Sequence, residues 1–122
     1  MLHRYLVVIL AGLLTVAAPA FAGEANVTDA KATRTGSGWR FDVTVRHADT
    51  GWEHYADAWR VKGKDGTVYG TRTLYHPHVD EQPFTRSLSG VSIPSNVRQV
   101  IIESHDNVHG WGGKSVTLKL PK

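Results

Sequence analysis

From Ala25 onward the chain is written in period two. Trp39, Phe41, Val43 and Val45 alternate with Arg40, Asp42, Thr44 and Arg46, the pattern of a strand with one face in a core and the other in water. No long stretch of helical period interrupts it. Further strands are expected at 27–34, 54–62, 67–75, 84–91, 98–105 and 115–120. In the third, Tyr55, Asp57, Trp59 and Val61 share a face, which predicts an inward-pointing Asp57. The separators are turn-formers: Gly36-Ser37-Gly38, then Gly63-Lys64-Asp65-Gly66 with Asp-Gly where a hairpin needs positive φ, then Ile93-Pro94-Ser95-Asn96. Seven short strands in about 100 residues predict an all-β, antiparallel sandwich.

The first 22 residues are of another kind. Arg4 supplies a positive head, and 13 residues from Leu6 to Ala18 form an apolar run broken only by Gly12 and Thr15. Pro19 and the small residues Ala20 and Ala22 follow, which predicts a signal peptide helix cut before Gly23. The run is short of the roughly 20 residues of a membrane span, so no stable membrane anchor is expected after cleavage. The expected organisation is a signal peptide at 1–22 and a β-sandwich domain at 23–122, delivered to the periplasm or secreted. No cysteine stands near the cut, as a lipid-anchored lipoprotein would require.

Removal of the leader leaves a mature chain free of sulfur. Cysteine is absent and the only methionine is Met1, so disulfides, thiolate metal sites, iron–sulfur clusters and thiol catalysis are excluded. Without Arg4, 13 Lys and Arg face 11 Asp and Glu, a net charge of +2. That balance gives no reason to expect nucleic acid or an anionic membrane as partner.

The strand order resembles a fibronectin type III or immunoglobulin-like domain. The residues that carry the resemblance are the second strand Trp39–Val45, the run Tyr55-Ala56-Asp57-Ala58-Trp59-Arg60-Val61 leading into the Lys-Asp-Gly turn, and Ser87-Leu88-Ser89-Gly90-Val91-Ser92-Ile93-Pro94 leading into 97–104. The likeness spans the mature chain and is one of pattern. The tyrosine that such domains carry in the sixth strand is replaced here by the region of Val100 and Ile102, and the paired cysteines of antibody domains are missing. The resemblance implies a seven-stranded sandwich and says nothing of activity.

Alternating strand direction sorts the connections between two poles. The connections after strands one, three and five hold no histidine. Those after two, four and six hold or border all six histidines of the mature chain: His47 and His54, His76 and His78, His105 and His109. Seven of the 11 carboxylates share that end: Asp49, Glu53, Asp57, Asp80, Glu81, Glu103 and Asp106. Imidazoles among carboxylates suit a borderline divalent cation, which takes neutral nitrogen donors, charge compensation and acceptors that orient the rings. In His76-Pro77-His78 the proline stiffens a spacing that sends both rings to one side. His105 and His109 bracket a connection rich in glycine. The candidate ligands are therefore these six histidines, with Asp57, Asp106 and Glu53 as supporting carboxylates. Arg46 and Arg86 are candidate partners for Asp57. Without sulfur, Cu(I) is disfavoured, and Zn(II), Cu(II) or Ni(II) fits imidazole nitrogen. A mature N-terminus of Gly23-Glu24-Ala25 offers no terminal histidine.

A second reading needs no metal. Trp52 and Trp111 are placed in the connections of the same pole, and exposed aromatics there suit a protein partner, a glycan or another small ligand. Clustered histidines also suit a pH sensor. A hydrolase working through zinc-bound water ranks below these, because no His-Glu-x-x-His or other catalytic motif is present and no catalytic residue is singled out.

Overall fold

The computed structural model describes residues 23–121. The expected signal peptide lies outside the described residues. Seven strands follow in order: β1 (Asn26–Thr35), β2 (Gly38–Arg46), β3 (Ala56–Lys62), β4 (Val68–Thr73), β5 (Phe84–Val91), β6 (Gln99–Asp106) and β7 (Gly110–Lys119). They form two antiparallel sheets, one ordered β1-β2-β5 and the other β4-β3-β6-β7. The chain is not a simple up-and-down meander, since β5 crosses to the first sheet. Neighbouring strands still run antiparallel, so the assignment of connections to poles holds.

The core follows from the alternation. Trp39, Phe41, Val43 and Val45 of β2 are buried, and they face Trp59 and Val61 of β3 and Val100 and Ile102 of β6. Ala25, Val27, Phe84, Val91 and Leu120 close the edges of this cluster. Among the described residues, every strand and every buried apolar side chain lies between Ala25 and Leu120.

Two expectations fail for local reasons. Asp57 does not point inward with Trp59. The pairing of β3 with β6 shifts register between Ala56 and Ala58, a bulge that turns Ala56 into the core and sends Asp57 to the outer face of the four-stranded sheet. β7 begins at Gly110 rather than near residue 115. Trp111 and Gly112 are thus strand residues opposite His105 and Ser104, Gly113 falls in the register shift that follows, and Trp111 is not in a loop.

Gly113 shows why glycine extends that strand. Its φ is +68°, and a Cβ placed on it would lie 2.0 Å from the carbonyl oxygen of Ala25. The approach locks the start of β1 across β7. Gly36, by contrast, has φ +48° with open space around it. Gly36→Ala is therefore expected to cost about 1–2 kcal/mol, the left-handed backbone penalty alone. Gly113→Ala should cost distinctly more, because the Ala25 backbone must also move. Urea denaturation of both variants checks this; equal losses would show that the Ala25 contact does not constrain the fold.

Candidate metal centre

The inward rows of β2 and β6 do not stop where the apolar core stops. On β2 the row Phe41, Val43, Val45 continues in the same parity to His47 and Asp49, which are 3% and 5% exposed. On β6 the row Val100, Ile102 continues to Ser104 and Asp106, both fully buried. The residues that follow β2 and the last residues of β6 thus bring a histidine, a serine and two carboxylates into the end of the core. The β2–β3 connection adds His54, which forms an isolated antiparallel bridge with Gly51. That bridge is closed by Thr50 N–H to the His54 carbonyl (3.0 Å) and His54 N–H to the Gly51 carbonyl (3.3 Å).

His47, His54 and Asp106 each offer a donor atom, and these atoms lie within 4.8 Å of one another. His54 Nε2 is 3.0 Å from Asp106 Oδ1. The rings of His47 and His54 meet edge to face at 4.7 Å between centroids. His109 stands on the other side of His54 at 5.0 Å, and its Nδ1 lies 3.1 and 3.2 Å from the two oxygens of Asp106. Three imidazoles therefore surround one buried carboxylate. Tetrahedral ligands at zinc bond lengths are separated by roughly 3.4 Å. The set fits a divalent ion once its rings draw in by about an ångström, and His54 and His109 are partly exposed and have room to do so.

The electrostatics are unusual for a sandwich core. Burial would push the Asp106 carboxyl up, but the amides of His109 and Val108 and the His109 imidazole outweigh it and hold it below the usual carboxylate range. Asp49 behaves likewise: burial opposes its charge, and bonds from His47 and from the amides of His78 and Ala56 lower it. Burial also opposes charge on His47, yet the Asp49 carboxylate and the Gly23 carbonyl raise its pKa. Among the described residues, Asp49 and Asp106 have ion-pair partners only in histidines; no Lys or Arg reaches either.

The remaining sequence candidates fall elsewhere. His105 lies one residue out of phase with Asp106, so it sits on the outer face of the sheet, its Nδ1 bonded to Asp57 Oδ1. That histidine is the partner Asp57 finds, in place of Arg46 or Arg86. Trp111 lies beside them, edge-on to His105 at 4.8 Å and capped by the Arg60 guanidinium at 3.9 Å from its centroid. His76 and His78 form a separate pair with centroids 4.6 Å apart. His78 is buried, stacked on Phe84 at 3.9 Å, with Nε2 2.9 Å from Arg86. Burial first, then the charge of Arg86, lowers its pKa. His76 is exposed, as are Glu53 and Trp52, and Trp52 packs edge-on against Tyr55 at 5.5 Å.

Two further residues bear on the site, Asp49 among the carboxylates of this end and Gly23 at the start of the described residues. Asp49 takes His47 Nδ1 (2.5 Å) and Ala56 N–H (2.9 Å) on one oxygen and His78 N–H (2.8 Å) on the other. Its parity with Val45 and His47 was the available signal. Gly23 places its carbonyl 2.9 Å from His47 Nε2. No pattern in the sequence signals that contact, because it is made by a backbone atom.

No protein-family model matches the chain. A protein of Halomicrobium mukohataei named "Putative lipoprotein" is 38% identical over 96 residues, which cover 78% of this chain and 47% of that protein. The chain thus spans about half the length of the relative it matches. Among solved structures, a superoxide reductase from Giardia intestinalis overlays 78% of this chain and 99% of its own, with 14% identity and a TM-score of 0.43.

The His47–Asp49 pair makes stability depend on pH in a defined sense. His47 is raised, so its contribution is complete below about pH 6.5 and fades as pH rises through its folded value. Asp49 is lowered, so its contribution is present above about pH 3.9 and is lost as pH falls through its folded value. His78 runs opposite to His47, its contribution being lost as pH falls. Asp49→Asn should cost about 3–5 kcal/mol near pH 6, since it leaves buried groups without their partner. It should also flatten the decline of stability above pH 6.5. Urea midpoints of both proteins between pH 5 and 8.5 test this; an unchanged slope above pH 6.5 would contradict the pairing.

Proposed function

We propose that the protein is a small exported β-sandwich that binds a divalent metal ion through His47, His54 and Asp106, with His109 completing the set. The observation that carries the reading is two buried carboxylates whose ion-pair partners, among the described residues, are imidazoles alone. Backbone amides carry part of the carboxylate charge, and a cation beside the carboxylate offsets the rest of its burial. Here that cation is a protonated histidine or a metal that replaces the proton. Nitrogen and oxygen donors without sulfur suit Zn(II), Cu(II) or Ni(II), and two imidazoles with one carboxylate also suit Fe(II). The donors sit largely under cover, with His54 and His109 reaching solvent, which favours holding an ion over turning over a large substrate.

Export is part of the proposal. It is supported by the leader-like pattern of residues 1–22 and by the similarity to a protein named as a lipoprotein. The periplasm is the proposed compartment. The division of strands into β1-β2-β5 and β4-β3-β6-β7 supports a fibronectin type III or immunoglobulin-like wiring.

A recognition role has its own observation. Among the exposed large apolar side chains, Trp52 (65%), Tyr75 (73%), Val79 (52%) and Val108 (58%) all stand in the connections of the histidine end. Exposed apolar side chains on connections of one end suit a partner that docks there.

Calorimetric titration with Zn(II), Cu(II), Ni(II) and, without oxygen, Fe(II) tests the metal reading. At least one should bind one ion per chain, His54→Ala should weaken it by about 100-fold or more, and His76→Ala should leave it within about two-fold. Binding that survives His54→Ala and is lost in His76→Ala/His78→Ala would move the site to the other histidine pair.

A further inference from the structure

We infer that the α-amine released by cleavage before Gly23 is itself a ligand of this centre, closing an N,O chelate with the Gly23 carbonyl. The inference rests on the proposed His47–His54–Asp106 site and on cleavage after Ala22. His47 Nδ1 is occupied by Asp49, so Nε2 is the nitrogen left to bind an ion. The atom that Nε2 faces is the Gly23 carbonyl oxygen, at 2.9 Å. Ligands at right angles on an ion with bonds of about 2.0–2.2 Å, as in the tetragonal geometry of Cu(II), stand roughly 3 Å apart. An ion that replaces the proton would sit to one side of the line between these two atoms and contact both once the ring and the carbonyl turn toward it. The Gly23 nitrogen is joined to that carbonyl through a single carbon, so the same ion closes a five-membered ring with the terminal amine. Binding releases the amine's proton and the Nε2 proton to solvent.

Gly23 is not left on a loose end. Glu24 Oε2 accepts the amide of Gly113 at 2.5 Å, and Asn26 Oδ1 accepts the amide of Lys114 at 2.7 Å. Between them Ala25 is buried, with its carbonyl against Gly113. Three consecutive residues are thus tied across the start of β7. Gly23 itself is exposed, with nothing within 4 Å of where a Cβ would stand, so an ion reaches the amine from solvent. The residues Ala20-Phe21-Ala22, read only as an export signal, then set the length at which the chain end meets the site.

The test uses the whole 122-residue chain, exported with its own leader, beside a variant with one serine inserted between Ala22 and Gly23. Intact mass gives the first residue of each product, expected to be Gly23 and the inserted serine. The insertion turns the Gly23 nitrogen into an amide and moves the amine one residue away. Cu(II) should bind the Gly23 product at least about ten-fold more tightly than the extended one, through the lost chelate. Labelling with 15N-glycine should change the nitrogen superhyperfine pattern of bound Cu(II) in the first product and not in the second. Equal affinities that both depend on His54, or a product that begins elsewhere than Gly23, would overturn the amine ligand and leave the metal site standing. No binding of Cu(II), Zn(II), Ni(II) or Fe(II) by either product would overturn both.

Discussion

The end of the sandwich that carries the site is organised by one buried carboxylate. Asp49 accepts His47 Nδ1, the amide of Ala56 and the amide of His78, and so ties the β2–β3 connection, the first residue of β3 and the β4–β5 connection to one point. An unpaired buried carboxylate would be strongly destabilising, whereas one with three donors is held firmly ionised. Its geometry also fixes the orientation of the His47 ring: Nδ1 is directed at Asp49, and Nε2 is left to face the Gly23 carbonyl at 2.9 Å. Packing of the loops and the chemistry of the candidate ligands thus depend on the same atoms. This is the arrangement in which a carboxylate behind a histidine orients the ring and raises its basicity.

Why the polar residues gather here follows from the strands. The inward rows of β2 and β6 are apolar through Val45 and Ile102, and beyond these the same parity brings His47, Asp49, Ser104 and Asp106. Along these rows the side chains change from hydrocarbon to donors and acceptors. The site is therefore a continuation of the core, built from the ends of β2 and β6 and the connections that leave them, which Asp49 and Asp106 tie down.

Much of this was legible in the sequence. Alternation located seven strands, and alternating direction brought the histidines to one end without knowledge of the sheet order. Parity would have gone further: His47 and Asp106 fall in step with Val45 and Ile102, while His105 is one residue out of step. The His-Pro-His motif drew attention by its appearance, yet Arg86 and Phe84 occupy the buried His78 ring. Asp57 was misplaced because a bulge at Ala56–Ala58 inverts the alternation, and a bulge leaves no composition mark in this strand. The start of β7 was missed because glycines usually end strands, and here the approach of Ala25 to Gly113 requires one. The Gly23 carbonyl was beyond reach, since backbone groups have no residue-type signal.

The central claim is that His47, His54 and Asp106 form a single cation centre rather than a self-contained network of imidazolium–carboxylate pairs. Anomalous diffraction at the zinc absorption edge, from crystals of the exported protein grown with Zn(II), tests it most directly. The account predicts one strong peak within bonding distance of His54 and Asp106 and on the Nε2 side of His47. A peak bound instead between His76 and His78, or at His105 and Asp57, with the His47 end unoccupied, would contradict it.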